Sequence, residues 1–383
     1  MFSVPLRLMG RRRKPQIFEK VSFTGIADKG KSVGRDEQGR VVFVEEVAPG
    51  DVADVLVIRK RKGVWVGVAK QMHEYSPDRT DPFCKHYWHC GGCKWQHLKY
   101  EAQVKHKQKV VEDTLARIGK VDIKEMLPIK GAEATTHYRN KLEFSFSNKR
   151  WLTPEELNTD ISNEEDVLGF HRAGAFDKVI NIEECWLQSD PSNELRNGIR
   201  ELAIEQGLSF HDAKEHVGFM RQVMFRITSL GEILVLMSFH EDKPELYKPF
   251  MDALLERFPN ITTLCYCINT KLNDFLFDLE MFTYSGKGYV EEKLGHVRFK
   301  VGPKSFFQTN TFQAEALYNT VVEFADLKGE ENVYDLYSGT GSITCILAQK
   351  AKKVIGVEQV PEAVEVAHEN ARINEIEKKI NGE

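Results

Sequence analysis

The chain has 383 residues, of which 42% are hydrophobic and 29% are charged, and its formal net charge is −4. A chain of this length buries a sizeable core and divides into two or more domains. No run approaches the roughly 18 apolar residues of a transmembrane helix, and the arginines at 11–13 follow the first apolar stretch, the reverse of a secretory signal. We therefore expect a cytoplasmic protein without membrane contact, in which clustered cysteines bind metal more often than they form disulfides.

The net charge hides an asymmetry along the chain. Residues 1–150 contain 30 Lys and Arg against 18 Asp and Glu, a net charge of +12, whereas the remainder has 23 against 39, a net charge of −16. A basic excess over so long a stretch favours contact with a nucleic acid. For any single basic run, an ordinary solvated surface remains the alternative.

Residues 17–75 have the pattern of short strands separated by glycine-bearing turns, as in "DKGKSVGR" and "APGD". Strands of about six residues at this spacing predict a small β-barrel. Its basic loops, which include Lys31 and Arg35, could face a phosphate backbone as OB-type barrels do, or could serve only solubility.

A helix is predicted over residues 100–118, followed by a region that is mostly strand from 137 to about 300. That region contains a hairpin at Leu230-Gly231 and one helix at about 243–257. The predicted helix at 100–118 carries one apolar stripe, formed by Val104, Val111, Leu115 and Ile118.

The pattern changes near residue 311, where helices and strands begin to alternate. A helix over 311–327 is preceded by Asn310, whose side chain is placed to cap it, with Gln313 as its capping-box partner. Strand, helix, strand and helix follow in that order. This order begins a doubly wound parallel sheet, of which we expect two strands in this chain.

Three cysteines, Cys84, Cys90 and Cys93, fall in the stretch "CKHYWHCGGC" with the spacing C-x5-C-x2-C. Thiolates on one loop suit tetrahedral zinc or an iron–sulfur cluster, and either metal site needs a fourth ligand. Cys185, in the polar segment "NIEECWLQ", is the best candidate. The remaining cysteines have apolar neighbours, as buried structural cysteines do: Cys265, Cys267 and Cys345. On spacing alone, zinc and iron–sulfur both remain open.

The segment "DLYSGTGS" places Gly339 and Gly341 between a strand and a helix, where backbone N–H groups can approach a ligand. Glu358 ends the next strand, and its carboxylate could accept hydrogen bonds from both ribose hydroxyls of an adenosine. Thr344 occupies the position of the third glycine in the dinucleotide fingerprint, which disfavours NAD and favours S-adenosylmethionine. A structural turn with an exposed Glu remains the alternative.

The basic barrel, the cysteine cluster and the glycine-turn domain, in this order, resemble the RumA/TrmA family of S-adenosylmethionine-dependent RNA (uracil-5-)-methyltransferases. The segment "GIADKGKSVGR" looks like that family's TRAM domain. The resemblance is strongest to the iron–sulfur, 23S rRNA branch, because the cysteine spacing is similar to its 4Fe–4S ligands. It implies an α/β multidomain chain with a TRAM/OB-like β-barrel at 1–75. A central mixed β-rich domain with a 4Fe–4S site would span 76–300, and an incomplete Rossmann-like class I methyltransferase domain 301–383.

The resemblance also implies roles for individual residues. The segment "SFFQTN" is similar to a cofactor-contacting segment of the family, and with the glycine turn it implies S-adenosylmethionine binding by Gln308, Tyr337, Gly339, Gly341, Ser342 and Glu358. Ser342 departs from the family's usual asparagine. The implied 4Fe–4S ligands, with zinc as the alternative metal, are Cys84, Cys90, Cys93 and Cys185. The implied RNA contacts are Lys31, Arg35, Arg139, Lys141 and Arg172.

The reaction that the resemblance implies is methyl transfer to C5 of a uridine, in ribosomal rather than transfer RNA, by a monomer. The family places its nucleophilic cysteine, an Asp-Pro-Pro motif and a glutamate base beyond the second helix of this domain, so we expect the catalytic residues beyond Glu383. Cys345, inside an apolar helix, would be a poor substitute. Two alternatives are a non-catalytic RNA-binding iron–sulfur fragment and a radical S-adenosylmethionine methylthiotransferase, whose C-x3-C-x2-C loop differs from this spacing.

Overall fold

The structure is a computed structural model that describes residues 16–61, 63–172 and 174–382. The chain forms two compact units. Met1–Trp88 and Gly92–Gly131 make up the first unit, and His89–Gly91 and Ala132–Glu383 make up the second. No helix in the described part of the chain is long and apolar enough to cross a membrane.

The first unit contains a closed barrel of five strands: β1 (Ile17–Ile26), β2 (Ser32–Arg35), β3 (Val41–Val44), β4 (Val52–Arg61) and β5 (Val64–Glu74). Their order is β1-β2-β3-β5-β4, and β3 and β5 pair in parallel whereas the other neighbours are antiparallel. Apolar side chains fill the interior, among them Phe18, Val21, Phe23, Val42, Val44 and Val55. Closure leaves no unpaired strand edge, and the predicted barrel is confirmed.

A buried carboxylate joins the barrel to the segment that follows it. Asp51 is fully buried and accepts hydrogen bonds from the backbone N–H groups of Ala48 (2.6 Å) and Ser76 (2.8 Å). The Arg79 guanidinium donates to the same carboxylate through Nε (3.0 Å) and Nη2 (2.7 Å). Burial raises the pKa of Asp51, but the hydrogen bonds from Arg79, Ala48 and Ser76 outweigh it and leave this pKa below its ordinary value. The carboxylate is therefore ionised and held by several donors.

The first unit also contains α1 (Tyr100–Arg117), and a short 3-10 helix at Asp28–Gly30 lies between β1 and β2. The helix was predicted correctly, but its apolar stripe does not form a core. Val111 and Leu115 are exposed, Ile118 is 79% exposed, and of the helix residues, all of which are described, only Ala102 is buried. Periodicity identifies an apolar face but does not identify what covers it.

A seven-stranded sheet dominates the second unit. Its strands are β6 (Lys141–Lys149), β7 (Glu164–His171), β8 (Val179–Asn181), β9 (Met220–Ile227), β10 (Ile233–Phe239), β11 (Thr263–Ile268) and β12 (Phe282–Ser285). The order is β12-β11-β10-β9-β6-β7-β8, with β10 and β11 parallel and the other pairs antiparallel. The predicted hairpin is the β9–β10 connection, which is confirmed.

Two helices, α2 (Ser192–Glu205) and α3 (Pro244–Arg257), pack on one face of this sheet. The sequence predicted α3 but missed α2. The signal was present, because Leu195, Ile199 and Leu202 recur at helical spacing and all three are buried. A further 3-10 helix spans Glu156–Asn158.

The C-terminal part of the second unit begins with a hairpin of β13 (Val290–Leu294) and β14 (Val297–Val301). Next come α4 (Thr311–Ala325), β15 (Asn332–Leu336), α5 (Ser342–Leu347), β16 (Lys353–Val357), α6 (Pro361–Ile373), a 3-10 helix (Glu377–Lys379) and β17 (Ile380–Gly382). The strands form a parallel sheet in the order β15-β16-β17, so the structure adds a third strand to the two predicted. Asn310 caps α4 as predicted, since its Oδ1 accepts from the Gln313 N–H at 3.0 Å.

The other face of the seven-stranded sheet belongs to the core of this C-terminal part. Met224, Leu234 and Leu236 of β9 and β10 cluster with Phe299 of β14 and with Cys345 and Val354 of the parallel sheet and its helices. The sheet is therefore coated on both faces, which is why β9 and β10 are buried at every position.

Candidate functional site

The turn between β15 and α5 has the backbone geometry that its glycines allow. Tyr337 (φ 65°), Gly339 (φ 56°) and Gly341 (φ 78°) all lie in the left-handed region. A Cβ at Gly341 would lie 3.1 Å from the Cβ of Ala367 on α6, so glycine is required there by close approach as well as by φ. The turn stands at the carboxyl edge of the parallel sheet, where doubly wound folds bind their ligands.

Glu358 directly follows β16 at the same edge. Its Oε2 accepts the Gly339 N–H at 2.8 Å, and its Oε1 accepts the N–H groups of Gln359 (2.8 Å) and Val360 (3.0 Å). The hydrogen bond from Val360, with those from Gly339 and Gln359, lowers the pKa of Glu358 against a smaller effect of burial. Two residues predicted to bind cofactor are thus in direct contact, and the acid is held as a carboxylate.

Buried polar side chains fix the turn from behind. Thr344 Oγ1 donates to Asp335 Oδ2 at 2.6 Å, and burial raises the pKa of Asp335. Asn370, which is fully buried, donates from Nδ2 to the Thr340 carbonyl at 2.9 Å and accepts from the Lys300 N–H at 2.8 Å. Thr344, which stands where the dinucleotide fingerprint has its third glycine, therefore stabilises the turn through this hydrogen bond. The sequence offered no signal for Asn370.

Tyr318, on α4, is buried, and burial raises its pKa, an effect that the side chains of Gln308 and Ser342 oppose. Two other residues predicted to bind cofactor therefore influence the same phenol. Asn140 Nδ2 donates to the Gln308 carbonyl at 2.9 Å and so fixes that backbone. Sequence reasoning missed both Tyr318 and Asn140. By contrast, the predicted Tyr337 side chain stands 93% exposed beside the turn.

The four predicted metal ligands are divided between the units. Cys84 and Cys93 are half-buried in the first unit, whereas Cys90 and Cys185 both pack against the core of the seven-stranded sheet in the second. Across the described ranges 16–61, 63–172 and 174–382, no group of three or more His, Cys, Asp or Glu side chains is arranged to hold a metal ion. The thiols themselves are chemically suited to iron–sulfur or zinc ligation.

The other three cysteines are buried, as predicted. Burial raises the pKa of Cys265 to about 11 and that of Cys345 to about 12, and it also raises the pKa of Cys267. A thiol with so high a pKa is protonated at neutral pH and is a poor nucleophile. None of the three is therefore suited to covalent catalysis.

Two of the residues predicted to contact RNA lie in the first unit. Lys31 forms an ion pair with Glu45 at 2.8 Å, and Arg35 Nη1 lies 3.5 Å from the Gly39 carbonyl oxygen. Both lie at β2 or its flank and leave part of the side chain in solvent.

The other three lie in the second unit. Arg139 Nε donates to the Lys141 carbonyl at 3.3 Å, and the Lys141 ammonium lies 2.5 Å from Glu143. Arg172 donates to the His89 carbonyl at 2.8 Å and lines a cleft of about 770 Å³. His211 lines the same cleft, and burial together with Arg221 lowers the pKa of His211 to about 4, which keeps its imidazole neutral at pH 7. The RNA role of these residues stays a prediction.

Comparisons with known proteins match two parts of the chain to described families. Residues 19–68 match the TRAM domain, and residues 295–382 match the TRM5/TYW2 methyltransferase domain. A protein of Bacteroides thetaiotaomicron, described as an uncharacterized RNA methyltransferase, is 48% identical over 355 residues, which are 92% of this chain and 78% of the relative. A protein of Porphyromonas gingivalis with the same description is 46% identical over 363 residues, covering 93% and 78%.

One solved structure is similar over most of the chain. The tRNA (uracil-54, C5)-methyltransferase of Pyrococcus abyssi, in complex with S-adenosyl-L-homocysteine, superimposes with a TM-score of 0.69 at 24% identity. The match covers 95% of this chain and 79% of that one. At this identity the likeness is one of fold.

Proposed function

Because the chain belongs to the RNA methyltransferase family, we propose that it transfers a methyl group from S-adenosylmethionine to C5 of a uridine in RNA. The observation that carries the cofactor assignment is the contact between Glu358 and the Gly339 N–H at the carboxyl edge of the parallel sheet. A carboxylate has about four acceptor sites, and the three N–H groups leave one of them, on Oε2, to accept a ribose hydroxyl of an adenosine. The P. abyssi enzyme of similar fold was solved with the demethylated form of this cofactor.

The remaining proposed cofactor contacts surround the same edge. Asn140 fixes the backbone of Gln308, and Ser342 begins α5 directly after Gly341. These side chains can orient the sulfonium end of the ligand toward the RNA base, while the N–H groups of the turn meet its polar atoms.

Methylation at C5 requires covalent activation of the uracil. A cysteine thiolate adds to C6, which makes C5 nucleophilic enough to accept the methyl group, and a base then removes the C5 proton so that the thiolate can leave. Cys265, Cys267 and Cys345 are too deeply buried for the first step. We therefore propose none of these three thiols as the nucleophile. The alternative function for these 383 residues is that of a non-catalytic RNA-binding chain.

The test is tritium release from RNA that carries tritium at uridine C5, with the 383-residue chain assayed beside the full-length B. thetaiotaomicron relative. We expect tritium release, because removal of the C5 proton completes methyl transfer at C5. Release by the relative without release by the 383-residue chain would favour the non-catalytic alternative. If the relative incorporates methyl groups without tritium release, or incorporates none, then C5 methylation is wrong.

The RNA class is proposed to be 23S rRNA, on the basis of the cysteine set that resembles the ribosomal branch. The P. abyssi enzyme is described as acting on transfer RNA, so both classes must be compared. Methyl incorporation into unmodified 23S rRNA and into unmodified transfer RNA, measured at equal uridine concentration, separates the two.

We also propose that Cys84, Cys90, Cys93 and Cys185 hold a 4Fe–4S cluster. The support is the chemistry of four thiols together with Arg196, a fully buried cation whose charge attracts a Cys185 thiolate. The cluster would supply a structural cross-link, and no step of methyl transfer passes through it.

Iron and acid-labile sulfide, measured on anaerobically purified protein, test this metal assignment. We expect about four of each per chain, a large loss in Cys185→Ser, and no loss in the control Cys265→Ala, whose thiol lies elsewhere in the core. Stoichiometric zinc without sulfide would overturn the proposal in favour of the zinc alternative.

A further inference from the structure

The loop between β11 and β12 exposes two aromatic rings that the proposed chemistry does not use. Phe275 is 56% exposed and Phe277 is 46% exposed, and their ring centroids lie 5.6 Å apart. Leu276 between them is partly buried against the core, as are Leu279 and Met281 of the same loop, whereas Leu272 is 75% exposed. The two rings are thus neighbouring exposed aromatic side chains on a loop that is itself anchored to the core.

The backbone of this loop is fixed from below. Arg221, whose side chain is 2% exposed, donates to three of its carbonyl groups and pairs with one carboxylate: Asn269 (2.7 Å), Lys271 (2.5 Å), Asn273 (3.3 Å) and Asp274 (2.8 Å). The Phe275 N–H donates to Asn273 Oδ1 at 3.0 Å. These hydrogen bonds fix the loop backbone so that both rings stay exposed to solvent, although the hydrophobic effect would favour their burial.

Each ring also has a lysine over it. Lys271 Nζ lies 5.5 Å from the centroid of Phe275, and Lys141 Nζ lies 5.5 Å from that of Phe277. Both lysines also form ion pairs, Lys271 with Asp278 and Lys141 with Glu143, each at 2.5 Å. Because these charges are locally balanced, an anionic ligand would gain little from simple attraction, and affinity at the rings must come from stacking.

The position of the rings relates them to the candidate site. Phe277 and Lys141 line a groove of about 120 Å³ together with Lys304, which is four residues before Gln308. Asn140, the neighbour of Lys141, donates to the Gln308 carbonyl. A ligand lying on the rings is thus adjacent to the segment that we assign to cofactor binding.

We propose that Phe275 and Phe277 form a stacking platform for an unpaired base of the substrate RNA, near the base that receives the methyl group. Exposed, rigid aromatic rings with flanking cations are what proteins use to bind unpaired bases, because every base has a stackable face. RNA is favoured over a protein partner because the family acts on RNA and because the groove beside Phe277 adjoins the segment that we assign to cofactor binding. This inference rests on the proposed function.

The test measures binding of a fluorescently labelled single-stranded RNA of mixed sequence to the full chain at several salt concentrations. In the double variant Phe275→Ala/Phe277→Ala we expect the dissociation constant to rise about 5- to 150-fold, the range for losing one stacked base. The slope of its logarithm against log salt stays unchanged, because no phosphate contact is lost. Phe275→Trp/Phe277→Trp should restore affinity. The matched control is Phe324→Ala, whose ring is 71% exposed on α4 and carries no role here.

S-adenosyl-L-homocysteine binding by the same variants shows that they are folded. It also tests the proposed cofactor site independently of the rings. Unchanged RNA affinity in a folded double variant, or an equal loss in Phe324→Ala, overturns the platform while methyl transfer still stands. A wild-type chain that binds S-adenosyl-L-homocysteine but no RNA overturns the platform through its premise. A changed salt slope in the double variant overturns stacking as the cause.

Discussion

Replacing Asp51 by Asn lowers the stability of the barrel by about 3–5 kcal/mol, the usual cost of removing one partner of a buried ion pair. The amide keeps the size of the carboxylate but turns an NH₂ group toward N–H donors and leaves the Arg79 guanidinium without its counter-charge. Hydrogen exchange of peptides from β1 to β5 in the intact chain measures this loss strand by strand. The control is Asp54→Asn, which alters a partly exposed carboxylate that pairs with His73 and accepts the Lys20 N–H, and it should cost far less.

The same substitution should change the dependence of barrel stability on pH. The pKa of Asp51 is lower in the folded chain than the value of about 3.9 in an unfolded one. Its contribution is therefore fully present above that unfolded value and is lost as the pH falls through the folded pKa. In Asp51→Asn, the decrease in stability that protonation of Asp51 causes at acid pH is absent. A variant as stable as the wild type at pH 7 would show that the carboxylate does not support the barrel.

Glu358→Gln should weaken S-adenosyl-L-homocysteine binding about 10- to 150-fold, which corresponds to losing one or more hydrogen bonds to a charged group. The amide cannot accept with both ends, so either the ribose hydroxyls or the Gly339 and Val360 N–H groups lose a partner. Isothermal titration calorimetry on the purified chain gives the dissociation constant. Glu362→Gln, the matched control in the first turn of α6, removes the same charge and should leave affinity within about twofold.

A change of less than about twofold in Glu358→Gln would contradict the cofactor assignment, provided that the variant unfolds at the same temperature as the wild type. A lower unfolding temperature with unchanged affinity would instead reduce Glu358 to a support of the glycine turn. That result would revive the structural interpretation that the sequence left open.

Local signals predicted the barrel, α3, α4 and the glycine turn, because each of these depends on apolar spacing, capping residues or turn residues that lie close together in the sequence. The pairing of Glu358 with Gly339 was also predictable in kind, since the carboxyl ends of adjacent parallel strands meet. Tyr318 and Asn370 were not predictable. Each acts through contacts with segments that only the folded chain brings near, and nothing in the sequence around them distinguishes a supporting phenol or amide from an ordinary helix residue.

The errors have physical causes of the same kind. The apolar stripe of α1 is mostly exposed, which its spacing alone does not reveal. For α2 the strand-rich surroundings outweighed a helical spacing that was present. Burial is decided by what packs on an element, which is a property of the fold rather than of the segment.

The seven-stranded sheet contributes to two hydrophobic cores within the second unit. One face packs against α2 and α3, and the other face packs against the parallel sheet and its helices. A chimera that takes only the C-terminal part from a distant relative would lose the side chains that pack on this face of β9 and β10. Met224, Leu234 and Leu236 would then lose their packing partners. A workable chimera must therefore exchange the sheet and the parallel layer together.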